Sequence, residues 1–337
     1  MTMASTDRRS LLAASLALSA GAIVTHSAAG AQATAPGSDL PVPTPDPAEV
    51  IELWPGGVPG APDPLPAEKI TQRSTDPALS DRYVERTATP RMVVFRPQQP
   101  NGAAVLLTPG GGYSRVVIDK EGYELARWMN ARGFTAFVLF YRLPGDGWQN
   151  RADAPLADAQ RAIRLIRHRA AEYGVDPERV GAMGFSAGGH LCADLSTRFA
   201  HPAYQPIDAA DRLSARPSAA APIYPVISMD PAIAHAGSRD LLLGPNPSPE
   251  LEAAHSPDRV VLADAPPFFL LHAEDDNVVP VANTLRLREA LKTAGVRVET
   301  HLFEVGGHGF GLRGTTGKPV EIWPELWRAW ARTTPLG

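Results

Sequence analysis

The segment Gly184-Phe185-Ser186-Ala187-Gly188 sets a serine between two glycines, each two positions away. A hydroxyl in this pattern is either a nucleophile held on a sharp turn or an ordinary small-residue contact between a strand and a helix. Its surroundings favour the first. Val180-Gly181-Ala182-Met183 reads as a buried strand and the residues from Ala187 onward read as a helix, so Ser186 falls on a strand-to-helix turn of the nucleophile-elbow type. A turn that strains the serine backbone leaves no space for β-carbons two residues before and after it, which accounts for Gly184 and Gly188. The start of the following helix directs free N–H groups at the same spot, where they favour a developing oxyanion.

A serine hydroxyl needs a histidine to take its proton, and the histidine needs a carboxylate to fix its tautomer. Of the nine histidines, His308 is the best placed, in the glycine-flanked loop Gly306-Gly307-His308-Gly309-Phe310 after the last candidate strand. His190, His235, His272 and His301 lack such a loop and read as structural. The carboxylate is expected from Glu274-Asp275-Asp276, between a strand and a helix opened by Pro280; Asp276 is the first choice, with Asp275 and Glu274 as rivals. The chain order Ser186, Asp276, His308 is that of α/β-hydrolases. Thr108-Pro109-Gly110-Gly111-Gly112-Tyr113 follows a strand that lies two strands upstream of the elbow. Backbone amides of Gly111, Gly112 and Ala187 are the expected oxyanion donors, each worth roughly 2–4 kcal/mol in the transition state. Tyr113 and Tyr224 are candidates for the acyl and alcohol sides of a substrate site, and packing is the competing role for each.

These residues need elements to hold them. Candidate strands are Met92 to Phe95, Ala103 to Thr108, Thr135 to Tyr141, Val180 to Gly184, Ala220 to Tyr224, Phe268 to His272 and Val298 to Phe303. Helical patterns cover Glu121 to Arg132, Leu156 to Tyr173, Ala187 to Phe199, Val281 to Ala294 and Pro324 to Arg332. Alternation of this kind predicts an α/β fold, a mostly parallel twisted sheet with helices on both faces. On the helix from Leu156, an apolar face of Leu156, Ala159, Ile163 and Ile166 is matched by Arg161, Arg164, Arg167 and Arg169, read as a solvated surface. Residues 34–80 form a Pro-rich arm that should make neither helix nor central strand and should lie extended along a surface. Trp54 is expected to anchor it, with sugar stacking as the other role. The proline-rich region 201–267 reads as an irregular insertion overhanging the carboxyl edge of the sheet, where open α/β folds bind ligands.

A formal net charge of -4 with 32 basic and 36 acidic residues leaves no basic stripe, so nucleic acid is not an expected partner. Arg8-Arg9, a short apolar run from Leu11 to Val24 and Ala31-Gln32-Ala33 together read as an export signal over residues 1–33, of twin-arginine type rather than a general secretory leader. The run is too short to persist as a membrane span. The released protein, residues 34–80 as arm and 81–337 as catalytic domain, is then periplasmic or secreted. The single cysteine, Cys192, cannot make an internal disulfide and reads as a small buried side chain. No H-E-x-x-H or comparable ligand cluster is present, so neither a metal nor another cofactor is expected.

The region from about residue 90 onward resembles the α/β-hydrolase esterases grouped with acetyl esterases, acetylxylan esterases and bacterial feruloyl-esterase-like proteins. The resemblance is carried by PGGGY at 109–113, EGYELARWMNARGFTAFVLFYRLP at 121–144, DAQRAIRLIRHRA at 158–170, VGAMGFSAGGHL at 180–191, DDNVVP at 275–280 and GGHGFGL at 306–312. It implies a Ser-His-Asp esterase, and it favours Asp276 because the aspartate in such families precedes the Val-Pro pair by three residues. Pro109 departs from the histidine that many relatives of the hormone-sensitive-lipase type carry there. LWPGGVPGA at 53–61 also looks like the leader of secreted carbohydrate esterases. The implied activity is deacetylation of acetylated plant polysaccharide or oligosaccharide esters. Feruloyl or general short-chain ester hydrolysis is the alternative within enzymes, and a non-catalytic glycan-binding module is the alternative outside them.

Overall fold

The structure, a computed structural model, describes residues 45–337, and the expected leader at 1–33 and the first part of the arm lie outside the described residues. Ten strands and seven α-helices follow in chain order: β1 (Val50–Glu52), β2 (Lys69–Gln72), β3 (Arg82–Glu85), β4 (Arg91–Phe95), β5 (Ala104–Thr108), α1 (Glu124–Asn130), β6 (Thr135–Phe140), α2 (Ala154–His168), β7 (Val180–Phe185), α3 (Ser186–Thr197), β8 (Ala220–Ile223), α4 (Ala236–Leu243), α5 (Pro249–Ala254), β9 (Phe268–Ala273), α6 (Ala282–Thr293), β10 (Val298–Phe303) and α7 (Trp323–Ala331). Eight strands form one sheet in the order β1-β4-β6-β5-β7-β8-β9-β10, and β2 pairs with β3 in a separate ribbon. Pairing is parallel from β6 to β10, while β1 and β4 add antiparallel partners at one side.

The central strands are apolar runs buried on both faces, as a parallel sheet covered by helices requires. Phe137, Phe140, Phe185, Phe268 and Phe269 are almost wholly removed from solvent within this core. Trp128 of α1 packs edge-on to Trp327 of α7, and α2 packs on α3. The chain leaves β5 toward β6 on one side and leaves β7 toward β8 on the other, so right-handed crossovers place α1 and α3 on opposite faces. The order therefore reverses between β5 and β7, whose carboxyl ends lie side by side with Thr108 paired to Gly184. Ligands bind at such a crevice in open α/β sheets.

Four expectations are refined or corrected. The proline-rich arm is more than a surface wrap, because it supplies β1, an edge strand pairing Val50 with Val93 and Ile51 with Met92. An edge position suits a three-residue strand in a segment short of amide donors. Trp54 is buried behind β1, and its indole N–H donates to Asp158 at 2.7 Å, which is the anchoring role. The arginines of α2 are not a solvated surface. Arg161 is 1% exposed and binds Asp211 at 3.0 Å, Asp208 at 2.5 Å and the Leu53 carbonyl at 3.1 Å. Arg164 donates to Tyr204 Oη, and Arg167 donates to the Ser214 carbonyl. They tie the 201–267 region to the body. That region also contains two helices, α4 and α5, where an irregular run was expected. Finally, the helix expected from Glu121 begins instead as one wide π turn, Asp119–Tyr123, before α1. Wide turns of this kind are common at functional sites, and this one carries two residues into the cavity described next.

Candidate active site

Ser186 follows β7 directly and has φ +53°, a left-handed conformation that a serine adopts only when its surroundings over-determine it. Those surroundings are backbone. A β-carbon at Gly188 would sit 2.1 Å from the Thr108 carbonyl oxygen, and one at Gly184 would sit 2.1 Å from the Gly188 carbonyl oxygen. Thr108 Oγ1 closes the contact by donating to Gly188 O at 2.8 Å. The glycines thus let β5, β7 and the start of α3 approach to a separation that no side chain permits.

His308 stands in the loop after β10, with Nε2 2.8 Å from Ser186 Oγ and Nδ1 2.7 Å from Asp276 Oδ2. Because Nδ1 faces a carboxylate it carries the proton, which leaves the Nε2 lone pair to accept from the serine hydroxyl. Asp276 Oδ1 accepts from the amides of Val278 and Val279, both at 2.9 Å. Burial alone would raise the Asp276 carboxyl, but hydrogen bonds from His272 and His308 and from backbone amides outweigh it and hold the group well below the usual carboxylate range. Asp275, the rival, points its Oδ1 at the amides of Gly306 and Gly307 at 2.9 and 2.7 Å. It anchors the histidine loop instead of meeting the imidazole. Its carboxyl is held below the ordinary value, mainly by the Gly307 amide.

The amides of Gly111 and Gly112 donate to none of the described residues, and Ala187 lies in the first turn of α3, where an amide has no intrahelical acceptor. Gly111 has φ +132°, and a β-carbon there would meet the Arg115 carbonyl at 2.2 Å. Gly111 and Gly112 line the same cavity, of about 360 Å³, as Ser186 and His308. Its apolar lining comes from Val117, Leu241 and Val278.

Tyr113 and Tyr224, candidates for the substrate with packing as the competing role, both take the packing role. Tyr113 is 1% exposed, with its hydroxyl 2.7 Å from His190 Nδ1 and its ring edge-on to Tyr141, so it braces the glycine loop from beneath. Tyr224 is fully buried and packs edge-on to His308 and Phe310. Burial drives both phenols far above the ordinary tyrosine value, so each remains a neutral O–H.

Sequence reasoning missed three neighbours. Glu121, on the π turn, is buried at the cavity floor; its Oε2 accepts from the Gly110 amide at 2.8 Å and its Oε1 from Tyr224 Oη at 3.0 Å. The same tyrosine oxygen accepts from the Gly311 amide at 3.1 Å, so one carboxylate ties the glycine loop to the histidine loop. His272 is buried and places Nε2 3.1 Å from Asp276 Oδ2 and 3.0 Å from the Val279 carbonyl, while Thr284 Oγ1 meets its Nδ1 at 2.7 Å. Two acceptors at Nε2 put the proton there, so His272 donates to the carboxylate that His308 also uses. His235 opens α4 and lines the cavity, with Nδ1 accepting from the Ser238 amide. Burial, followed by the charge of His308, lowers its basicity. Cys192 is buried as expected, and burial pushes its thiol up to about 12. Among the described residues, no helix is long and apolar enough to cross a membrane.

A family model, BD-FAE, matches residues 93–291 of the chain. The acetylxylan esterase of Xylanibacter ruminicola is 35% identical over 227 residues, covering 66% of this chain and 44% of that protein. The endo-1,4-β-xylanase B of Butyrivibrio fibrisolvens is 36% identical over 205 residues, covering 61% and 32%. The chain thus spans less than half the length of these two relatives. Among solved structures, an acetyl ester-xyloside bifunctional hydrolase from Caldicellulosiruptor lactoaceticus superposes with a TM-score of 0.68 at 34% identity, covering 86% of this chain and 97% of that one. The fold is that of the α/β-hydrolases.

Proposed function

The chain belongs to the BD-FAE family, and from that premise and the geometry at Ser186 we propose that it is a serine carboxylesterase that removes acetyl groups from acetylated plant saccharides of the xylan type. The observation that carries this reading is the unbroken relay of Ser186 Oγ, His308 and Asp276 at 2.8 and 2.7 Å, opening on a cavity edged by unpaired backbone amides.

In the proposed reaction His308 Nε2 takes the Ser186 proton as Oγ attacks the ester carbonyl carbon. The carbonyl oxygen becomes an oxyanion that the amides of Gly111, Gly112 and Ala187 stabilise. The tetrahedral centre collapses, the carbon–alcohol oxygen bond breaks, and the leaving saccharide hydroxyl takes the proton from His308. Water, deprotonated by the same imidazole, then attacks the acetyl-serine, releases acetate and returns the proton to Ser186. Asp276 stays ionised throughout and stabilises the imidazolium. Glu121 acts as a positioning residue, holding the Gly110 amide and Tyr224 so that donor loop and histidine loop keep their spacing. An export leader at residues 1–33 would deliver this activity to the periplasm or the medium.

The relatives named for acetylxylan and acetyl-xyloside esters support the substrate class, and the small cavity, about 360 Å³, supports a short acyl group. Acetate release from native acetylated xylan, compared with hydrolysis of methyl ferulate and of longer acyl esters, tests it. Acetylated xylan should be preferred, and Ser186→Ala should lose at least about 10³-fold in rate with an unchanged fold. Preference for methyl ferulate would replace the substrate assignment, and full activity in Ser186→Ala would remove the nucleophile.

A further inference from the structure

The mouth of the Ser186 cavity is cationic in a chain whose net charge is negative. Arg73, Arg115 and Lys120 all line it. Arg73 is paired with Asp81 at 2.6 Å, and Asp81 is shared with Arg313. The side chains of Arg115 and Lys120 make no salt bridge or hydrogen bond with any described residue, although Lys120 is half-buried. A β-carbon at Gly309, the residue after His308, would lie 3.7 Å from Lys120 Nζ, so the ammonium sits against the histidine loop. The Arg115 and Arg73 guanidinium carbons lie 5.0 and 5.8 Å from the centre of the same Tyr83 ring, which gathers two like charges at one edge of the opening. The carboxylate in the lining, Glu121, accepts from Gly110 and Tyr224, and its Oε1 lies 3.9 Å from that same Gly309 position, so it faces Lys120 from the inner side of the opening and leaves Arg115 at the outer edge unopposed.

Cations in excess at a concave opening raise the local concentration of anionic ligands and orient them. The acetyl group must reach Ser186 at the cavity floor, whereas Arg73 and Arg115 are exposed at its outer edge, where the alcohol portion of the ester remains. Resting on the esterase reading above, we propose that Arg115 and Lys120 form a carboxylate subsite for the saccharide, so that the preferred substrate is an acetylated oligosaccharide carrying a uronic acid beside the ester.

The test compares acetylated, uronate-bearing xylo-oligosaccharides with the same material after its carboxyl groups have been reduced to alcohols. At about 20 mM salt the native form should show roughly tenfold higher kcat/KM, through a lower KM, and the ratio should approach one at about 500 mM salt, where screening is nearly complete. The double variant Arg115→Gln/Lys120→Gln should remove the ratio at low salt. Equal kcat/KM for native and reduced substrates in the wild-type protein, or a salt-insensitive preference, overturns the subsite. A preference seen only for p-nitrophenyl hemisuccinate over p-nitrophenyl acetate moves the carboxylate to the acyl side and also overturns it. Wild-type hydrolysis of p-nitrophenyl acetate reports the esterase reading separately: turnover with no saccharide preference rejects the subsite alone, and no turnover rejects both.

Discussion

The floor of the site and the overhang above it are held by different forces. Beneath Ser186, β5, β7 and α3 are locked by backbone-to-backbone approach, with Gly184 and Gly188 standing where any β-carbon would meet a carbonyl oxygen at about 2.1 Å. Outside its strand β8, the 201–267 region, which brings His235 and Leu241 to the cavity, is fastened to the body by polar and charged side chains instead: Arg161 to Asp208 and Asp211, Arg286 to Asp230, and Arg198 to His255. Steric locks do not depend on pH or salt, whereas ion pairs do. A rigid nucleophile under a cover whose attachment responds to solution conditions is the expected consequence.

Gly188→Ala should have the largest effect. With carbonyl oxygens of Thr108 and Pro109 at 2.1 and 2.3 Å from the new carbon, the glycine loop must be displaced; a loss of about 3 kcal/mol is expected, at the upper end for overpacking, and esterase activity should fall with it. Denaturant unfolding and initial rates check this, and a well-folded, active variant would break the steric half of the comparison.

Arg161→Met tests the other half. The guanidinium is buried, and its removal leaves the Asp211 charge, whose side chain is 1% exposed, to the neutral donors Tyr204 Oη and the Ile207 amide; breaking a buried pair costs about 3 kcal/mol or somewhat less here, because those donors remain and Asp208 faces water. Proteolysis should then begin within residues 201–267 before global unfolding, as limited digestion with mass mapping would reveal.

The overhang should also loosen in acid. His255, against Arg198, is held neutral: burial lowers its basicity to about 4, from an ordinary value near 6.5. Since the folded value is the lower one, the unfolded chain binds the proton first, and stability falls as pH drops from about 6.5 to about 4, by up to roughly 3 kcal/mol. The carboxyl of Asp276 is also depressed, so its contribution is present above its ordinary unfolded value near 3.9 and is lost only below it. A melting temperature that falls between pH 7 and 4.5, with a smaller fall in His255→Gln, is the expected result.

The smallest effect is expected at Glu121→Gln. The amide keeps one acceptor oxygen but offers an N–H where the carboxylate accepted from Gly110 or from Tyr224. A fall in kcat of roughly 10- to 100-fold, with KM little changed, is expected if the donor loop shifts, since an oxyanion donor is worth that much or more. Reduced kcat without a change in melting temperature separates positioning from simple destabilisation.

Much of this was legible in the sequence because short-range sterics write it there. All seven candidate strands lie within one residue of the observed ends, the glycines around Ser186 mark places where backbone must approach backbone, and Gly307 and Gly309 beside His308 take the positive φ values of +71° and +66°. What was not legible depends on distant partners. Arg161 reads as surface until Asp208 and Asp211 are brought over it, and Glu121 reads as the start of a helix until Gly110 and Tyr224 meet its two oxygens. Tyr113 and Tyr224 follow the same logic in reverse, since adjacency to a site in sequence does not decide which way a ring turns. The helix α5 did carry a signal, Ser248-Pro249-Glu250, in which the serine side chain caps the Leu251 amide and proline occupies the first turn.

The most direct test of the nucleophile is covalent labelling with a fluorophosphonate probe followed by peptide mapping. Stoichiometric modification of Ser186 in the wild-type protein, with labelling strongly slowed in His308→Ala, is the predicted result. An unlabelled Ser186 in protein that is folded and turning over ester, or a label on another residue, would contradict it.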